Sequence, residues 1–112
     1  MNESPIAVQI KRALLGIMAQ AQRDGAVDLV VGPLADGGTV YRYLGRSSPP
    51  TPWLDWRVVV SELAGLAGIR AAGFPKAGVI YVAYSGVRLR WQLKMNSHDE
   101  DCVLHNLASD PE

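Results

Sequence analysis

The stretch from Gly78 to Met95, GVIYVAYSGVRLRWQLKM, constrains this chain more than any other. Val87, Leu89, Trp91, Leu93 and Met95 alternate with Arg88, Arg90, Gln92 and Lys94. A period of two puts five apolar side chains on one strand face and a basic stripe on the other. A second β-run precedes this one, and Ser85-Gly86 separates them. Glycine takes positive φ without steric cost, so the pair predicts a tight hairpin. The rest of the chain is then expected to cover or extend that hairpin.

With 112 residues and 48% hydrophobic content, the chain has the length of one domain and enough apolar surface for a core. The expectation is a single domain over 1–112 with an ordered core from 6 to 107. Eleven basic and eleven acidic residues cancel. No net field draws the chain to nucleic acid or to an anionic membrane, and neither is expected as a partner. Cys102 is the single cysteine, which excludes an intrachain disulfide and fits a reducing compartment. No apolar run approaches the roughly 20 residues of a membrane span. The start, Met1-Asn2-Glu3-Ser4-Pro5, lacks the basic region of a signal peptide. These features predict a cytoplasmic protein, and the preference for Ala, Gly and Arg hints at a GC-rich bacterium.

Ser4-Pro5 predicts a helix start, with Ser as cap and Pro pre-set for the first turn. Ile6, Ile10, Ala13, Leu14, Ile17, Met18 and Ala21 recur at helical spacing, and Gly25 suits the exit. Val27 to Val31 and Thr39 to Arg46 read as two strands around turn residues at Gly32-Pro33 and Asp36-Gly37-Gly38. In the second, Val40, Arg42 and Leu44 share one face, and Tyr41 and Tyr43 the other. Ser47 to Pro52 reads as a loop. Trp53 to Ala72 is ambiguous: Val58-Val59-Val60 favours a strand, but Trp56, Val59, Val60, Leu63, Leu66 and Ala67 have helical spacing. The length decides for a helix. Asn96 to Asp101 reads as a polar turn, Cys102 to Leu107 as a final strand, and Ala108 to Glu112 as a fraying end. The predicted fold is α+β in the order αββαβββ, an antiparallel sheet of about five strands with two helices on one face.

This order and several strings resemble the N-terminal, PAS-like domain that precedes the motor in type II secretion and type IV pilus ATPases. Ile6 to Arg23 is similar to that family's opening helix, Gly25 to its closing Gly, and Asp28 to Pro33 to its first strand. Val40-Tyr41-Arg42-Tyr43-Leu44-Gly45 resembles its Arg-rich strand, with Leu44 in place of an Asp. Leu66-Ala67-Gly68-Ile69 and Pro75-Lys76-Ala77-Gly78-Val79 stand where the family ends its second helix and turns. Leu89-Arg90-Trp91-Gln92-Leu93, Asn96 to Asp99, Glu100 and Cys102 to Leu107 fall at matching intervals. The likeness covers about residues 6 to 107.

In that family, arginines of this domain reach nucleotide phosphates held by the motor. The resemblance carries this role to Arg90, whereas Val79 stands where a second Arg belongs, and Val27 replaces a Ser. No G-x-x-x-x-G-K-[ST] loop occurs, so no phosphate cradle is expected in this chain. Phosphoryl transfer would lack its electrostatic clamp, and no ATPase activity, no other enzyme activity and no cofactor are expected. The resemblance implies a pre-motor domain without its motor, acting as a non-enzymatic interaction or regulatory module.

Its contact candidates are Arg88, Arg90, Lys94 and Arg42 as cations, with Tyr41 and Tyr43 as an aromatic pair, since aromatics near Arg are a common interface composition. The expected partner is a protein: a secretion or pilus motor ATPase, or a second copy in a homodimer. Two alternatives stay open: Arg90 completing the nucleotide site of a separate motor, or a PAS-like sheet cradling a small ligand. His98, Cys102 and His105 have tempting spacings for a metal, but Cys102 and His105 are three apart on a strand and point to opposite faces. No metal site is expected. Neither histidine forms a recognisable arrangement with a hydroxyl or thiol, and Cys102 reads as a small core residue.

Overall fold

A computed structural model of the chain describes residues 4–70 and 73–109. The opening helix α1 (Pro5–Arg23) starts at Ser4, whose hydroxyl accepts from the Ala7 amide at 3.1 Å. Gly25, at φ 79°, turns the chain out of it. Strands β1 (Asp28–Pro33), β2 (Thr39–Tyr43) and β3 (Arg46–Ser47) follow. Helix α2 (Trp56–Leu66) comes next, then β4 (Lys76–Tyr84), β5 (Val87–Met95) and β6 (Cys102–Asn106). A 3₁₀ turn at Leu107–Ser109 closes the described chain.

The six strands form one antiparallel sheet in the order β3-β2-β1-β6-β5-β4. The class is therefore α+β, with two helices as expected. The expected count of about five strands is corrected to six among the described residues. Leu44 and Gly45 have φ of 52° and 73°, so β2 ends at Tyr43 and the chain reverses there. Arg46 and Ser47 then pair back onto Tyr43 and Arg42. Leu44, read as a strand residue, is a turn residue, and Ser47 belongs to a strand rather than to the loop. Gly32-Pro33, read as a turn, completes β1, and the turn falls at Leu34–Gly38, where the Leu34 amide donates to the Gly38 carbonyl at 2.8 Å.

Helix α2 is shorter than the expected span from Trp53 to Ala72. Asp55 caps its start, accepting from the Arg57 amide at 3.0 Å, and Gly68 turns left-handed beyond its end at φ 69°. Ala71, Ala72 and the tail at 110–112 lie outside the described residues. The Val58-Val59-Val60 run is helical because burial overrides its strand propensity: Val59, Val60, Leu63 and Ala64 all face the core. The Trp56 indole donates to the His98 carbonyl at 2.6 Å and ties α2 to the turn before β6. The core lies between the sheet and the two helices. Trp91, Leu89, Leu93, Ile80, Leu104 and Leu29 fill it from the sheet, and Ile10, Leu14 and Met18 from α1.

Candidate functional site: the open sheet face

The β4–β5 hairpin behaves as its alternation predicts. Tyr84 pairs with Val87 across the two-residue turn Ser85-Gly86, whose φ angles are 50° and 78°. Two positive φ values are those of a type I′ turn, which matches the natural strand twist. Leu89, Trp91, Leu93 and Met95 are buried beneath the helices. Arg88, Arg90 and Lys94 stand exposed on the other face, with Gln92 half-buried among them.

The strand register carries this face across the sheet. One row runs Ala77, Lys94, Val103, Val30, Arg42 and Ser47. The next runs Val79, Gln92, His105 and Asp28. Tyr81 lies directly opposite Arg90. Thus Arg42, placed with the cations from sequence, shares a face with Arg88, Arg90 and Lys94, 46 to 52 positions further along the chain by their numbers.

The cations differ in their commitments. Arg42 donates to Asp101 at 2.9 Å, and the Asp101 carboxylate lies over Gly32, where any Cβ would overlap it. Both partners are about half exposed, so the pair adds little stability. Asp28 and His105 face each other at 3.0 Å. Among the described residues, no side-chain hydrogen bond or ion pair holds Arg88, Arg90 or Lys94. The apolar surface between them is exposed too: Tyr81 at 68%, Val79 at 45% and Val103 at 40%.

Tyr41 and Tyr43 are not part of this face. They alternate out of phase with Arg42, and the register puts them with Val31 on the helix-covered side. Both are half-buried against the core, and the Tyr43 hydroxyl donates to Asp24 at 2.8 Å. That hydrogen bond, then burial, raises the Tyr43 pKa. Alternation within β2 already sets them opposite Arg42, and the composition that paired them with the cations as contact candidates has no direction. The aromatic of the open face is Tyr81. Counting outward from Ser85-Gly86 would have placed it beside Arg90, but β4 is apolar on both phases and its pattern selects no face.

A scan against protein-family models finds no match, and a search of the curated proteins finds none either. The surface is therefore judged by its chemistry. A sheet face with unengaged cations set among exposed apolar groups can meet an acidic, partly apolar protein surface. Cys102 and His105 do point to opposite faces: the thiol is buried, and the imidazole lies on the open side. Among the described residues, no three His, Cys, Asp or Glu side chains gather in a metal-holding group, and no helix is long and apolar enough to cross a membrane.

Burial pushes the Cys102 thiol up to about 12, from an ordinary value of 9.0. The folded state therefore keeps a proton that the unfolded state loses above pH 9. The Cys102 contribution to stability is complete below pH 9 and declines as pH rises toward 12. The thiol should be inert to a thiol-specific reagent at pH 8 in the native protein and reactive once urea unfolds it. Fast native labelling at pH 8 would contradict the burial.

Proposed function

We propose that this chain is a non-enzymatic protein-interaction module that docks an acidic protein surface on its open sheet face, and that it is PAS-like and related to the pre-motor domain of secretion and pilus ATPases. The observation that carries the docking reading is the set of unengaged cations, Arg88, Arg90 and Lys94, beside exposed Tyr81, Val79 and Val103. The family reading is supported by the strings that suggested it. The strand bearing Leu89-Arg90 and the strand from Cys102 are neighbours in the sheet, and two helices pack on one face. Arg88, Arg90 and Lys94 would steer the encounter, and Tyr81 would supply buried area.

The test compares the wild-type chain with the triple variant Arg88→Glu, Arg90→Glu, Lys94→Glu as bait for a purified type II secretion or type IV pilus motor ATPase. Retention by the wild type should fall about tenfold with charge reversal, and also as salt is raised past the range where the Debye length is ~10 Å. Retention that ignores both changes, or no retention at all, rejects the docking reading.

A second reading is favoured by Arg90 alone. It is exposed, unengaged, and stands at the position where the resemblance places a phosphate contact. Arg90→Ala should then lower the ATPase rate of that motor even at concentrations of this chain that saturate binding. The ligand-sensor reading finds less support. The space between sheet and helices holds Trp91, Leu89 and Leu93, all fully buried. A groove of about 870 Å³ lies beside α2, lined by Trp56, Arg57, Val60, Arg70, Lys76 and His98 among others.

A further inference from the structure

The two edges of the sheet are built differently. The β3 edge is two residues long and runs into Pro49-Pro50, the kind of short, proline-flanked edge that resists further pairing. The β4 edge is nine residues, Lys76–Tyr84, and Pro75 stops one residue before it begins. It contains no proline, and its only charge is Lys76 at one end. No backbone hydrogen bond outside the sheet ladder reaches β4 among the described residues. Counting from the turn-closing pair Tyr84–Val87, the amides and carbonyls of Ala77, Val79, Tyr81 and Ala83 point away from β5. Four residues therefore present an open ladder, and two of them, Val79 and Tyr81, carry exposed apolar side chains.

We infer that β4 pairs antiparallel with β4 of a second copy of this chain, joining the two sheets into one. The strand suits a copy of itself. A two-fold axis at Ile80 aligns all nine residues. It sets Tyr81 against Val79 of the other copy, Ala83 against Ala77, and Lys76 against Tyr84. No charge of β4 then meets its like. The basic stripes on β5 do not oppose the pairing either. Arg90 and its counterpart lie three strand spacings apart, about 14 Å, beyond the ~10 Å screening length at ordinary ionic strength. The cross-strand Tyr81–Val79 contacts are of the aromatic–β-branched kind that stabilises sheets. This inference rests on the edge and not on the open-face reading.

Light scattering across micromolar to submillimolar concentration should give twice the chain mass. The double variant Ala77→Pro, Ala83→Pro removes two outward donors but neither an inward ladder bond nor a face cation. It should weaken dimerisation at least about tenfold, with an unchanged circular dichroism spectrum. Val79→Lys, which brings charge to the centre of the edge, should do the same without a backbone change. Arg90→Glu should leave the dimer intact, which separates the edge from the docking face. The register is read with Ala77→Cys and Ala83→Cys in one chain: a short thiol cross-linker should join the copies, while buried Cys102 stays silent. A wild type that remains monomeric throughout overturns the inference, as does a dimer that survives both edge variants or one that Arg90→Glu dissociates.

Discussion

Replacing Trp91 with Ala should remove about 3–5 kcal/mol of stability, the range for truncating a large buried aromatic. Trp91 is fully buried at the middle of β5 and pairs across the sheet with Ile80 on one side and Asn106 on the other. Its ring is the largest side chain in the space that the helices close. Domains of this size hold only about 5–15 kcal/mol in total, so the variant should lose a large share of its folded population. Trp91→Phe should behave differently. The indole N–H finds no acceptor among the described residues. An orphaned buried donor costs about 1–3 kcal/mol, and Phe removes it while keeping most of the apolar volume. The loss of volume and the relief of the donor then nearly offset, for a net change of about 1 kcal/mol or less. Urea denaturation followed by circular dichroism measures both. Equal, large losses for the two variants would mean that the N–H is satisfied and the ring shape is essential. Two small losses would mean that Trp91 does not anchor the core.

Asn106→Asp should cost about 3 kcal/mol or more at neutral pH, the scale of an uncompensated buried charge. Asn106 is 3% exposed at the end of β6. Its carboxamide N–H donates to the Ala26 carbonyl at 3.0 Å, and its oxygen accepts from the Ala108 amide at 3.0 Å. It thereby clamps the link between α1 and β1 to the turn after β6. A carboxylate keeps the second bond but turns the first into two acceptors in contact. Burial and that repulsion raise the introduced carboxyl's folded pKa above its unfolded value near 3.9. The sign follows from linkage: the variant is most stable below about pH 4 and loses stability as pH rises through the folded pKa. Melts of the two proteins from pH 4 to pH 8 should therefore diverge with increasing pH. Parallel curves would show that the site is wet enough to hold the charge.

How far each element could be read from the sequence tracks how local its cause is. The α1 start at Ser4, its exit at Gly25 and the Ser85-Gly86 turn each depend on a few neighbouring residues. The basic face of β5 depends on alternation within one strand. These were legible. The β2–β3 reversal was not, because it needs Leu44 in a left-handed conformation that a branched side chain seldom adopts. The open-face identity of Tyr81 needed the turn register, since Gly78, Ile80 and Val82 are as apolar as Val79 and Tyr81. Alternation within β2 set Tyr41 and Tyr43 opposite Arg42, but that theirs is the helix-covered side was decided by the pairing of β2 with β1.

The sequence alone determined the α+β class, the two helices, the central hairpin and which β5 residues carry charge outward, because hydrophobic period and turn chemistry are properties of consecutive residues. Only the tertiary structure decided that β1 and β6 meet in the middle of the sheet, that Lys94 and Arg42 fall in one row, and that β4 is left as an open edge. Those outcomes depend on pairings between residues up to 77 positions apart in the chain, such as Asp28 with His105. No local pattern encodes them, because each is selected by how a whole sheet buries its apolar face against two helices at once.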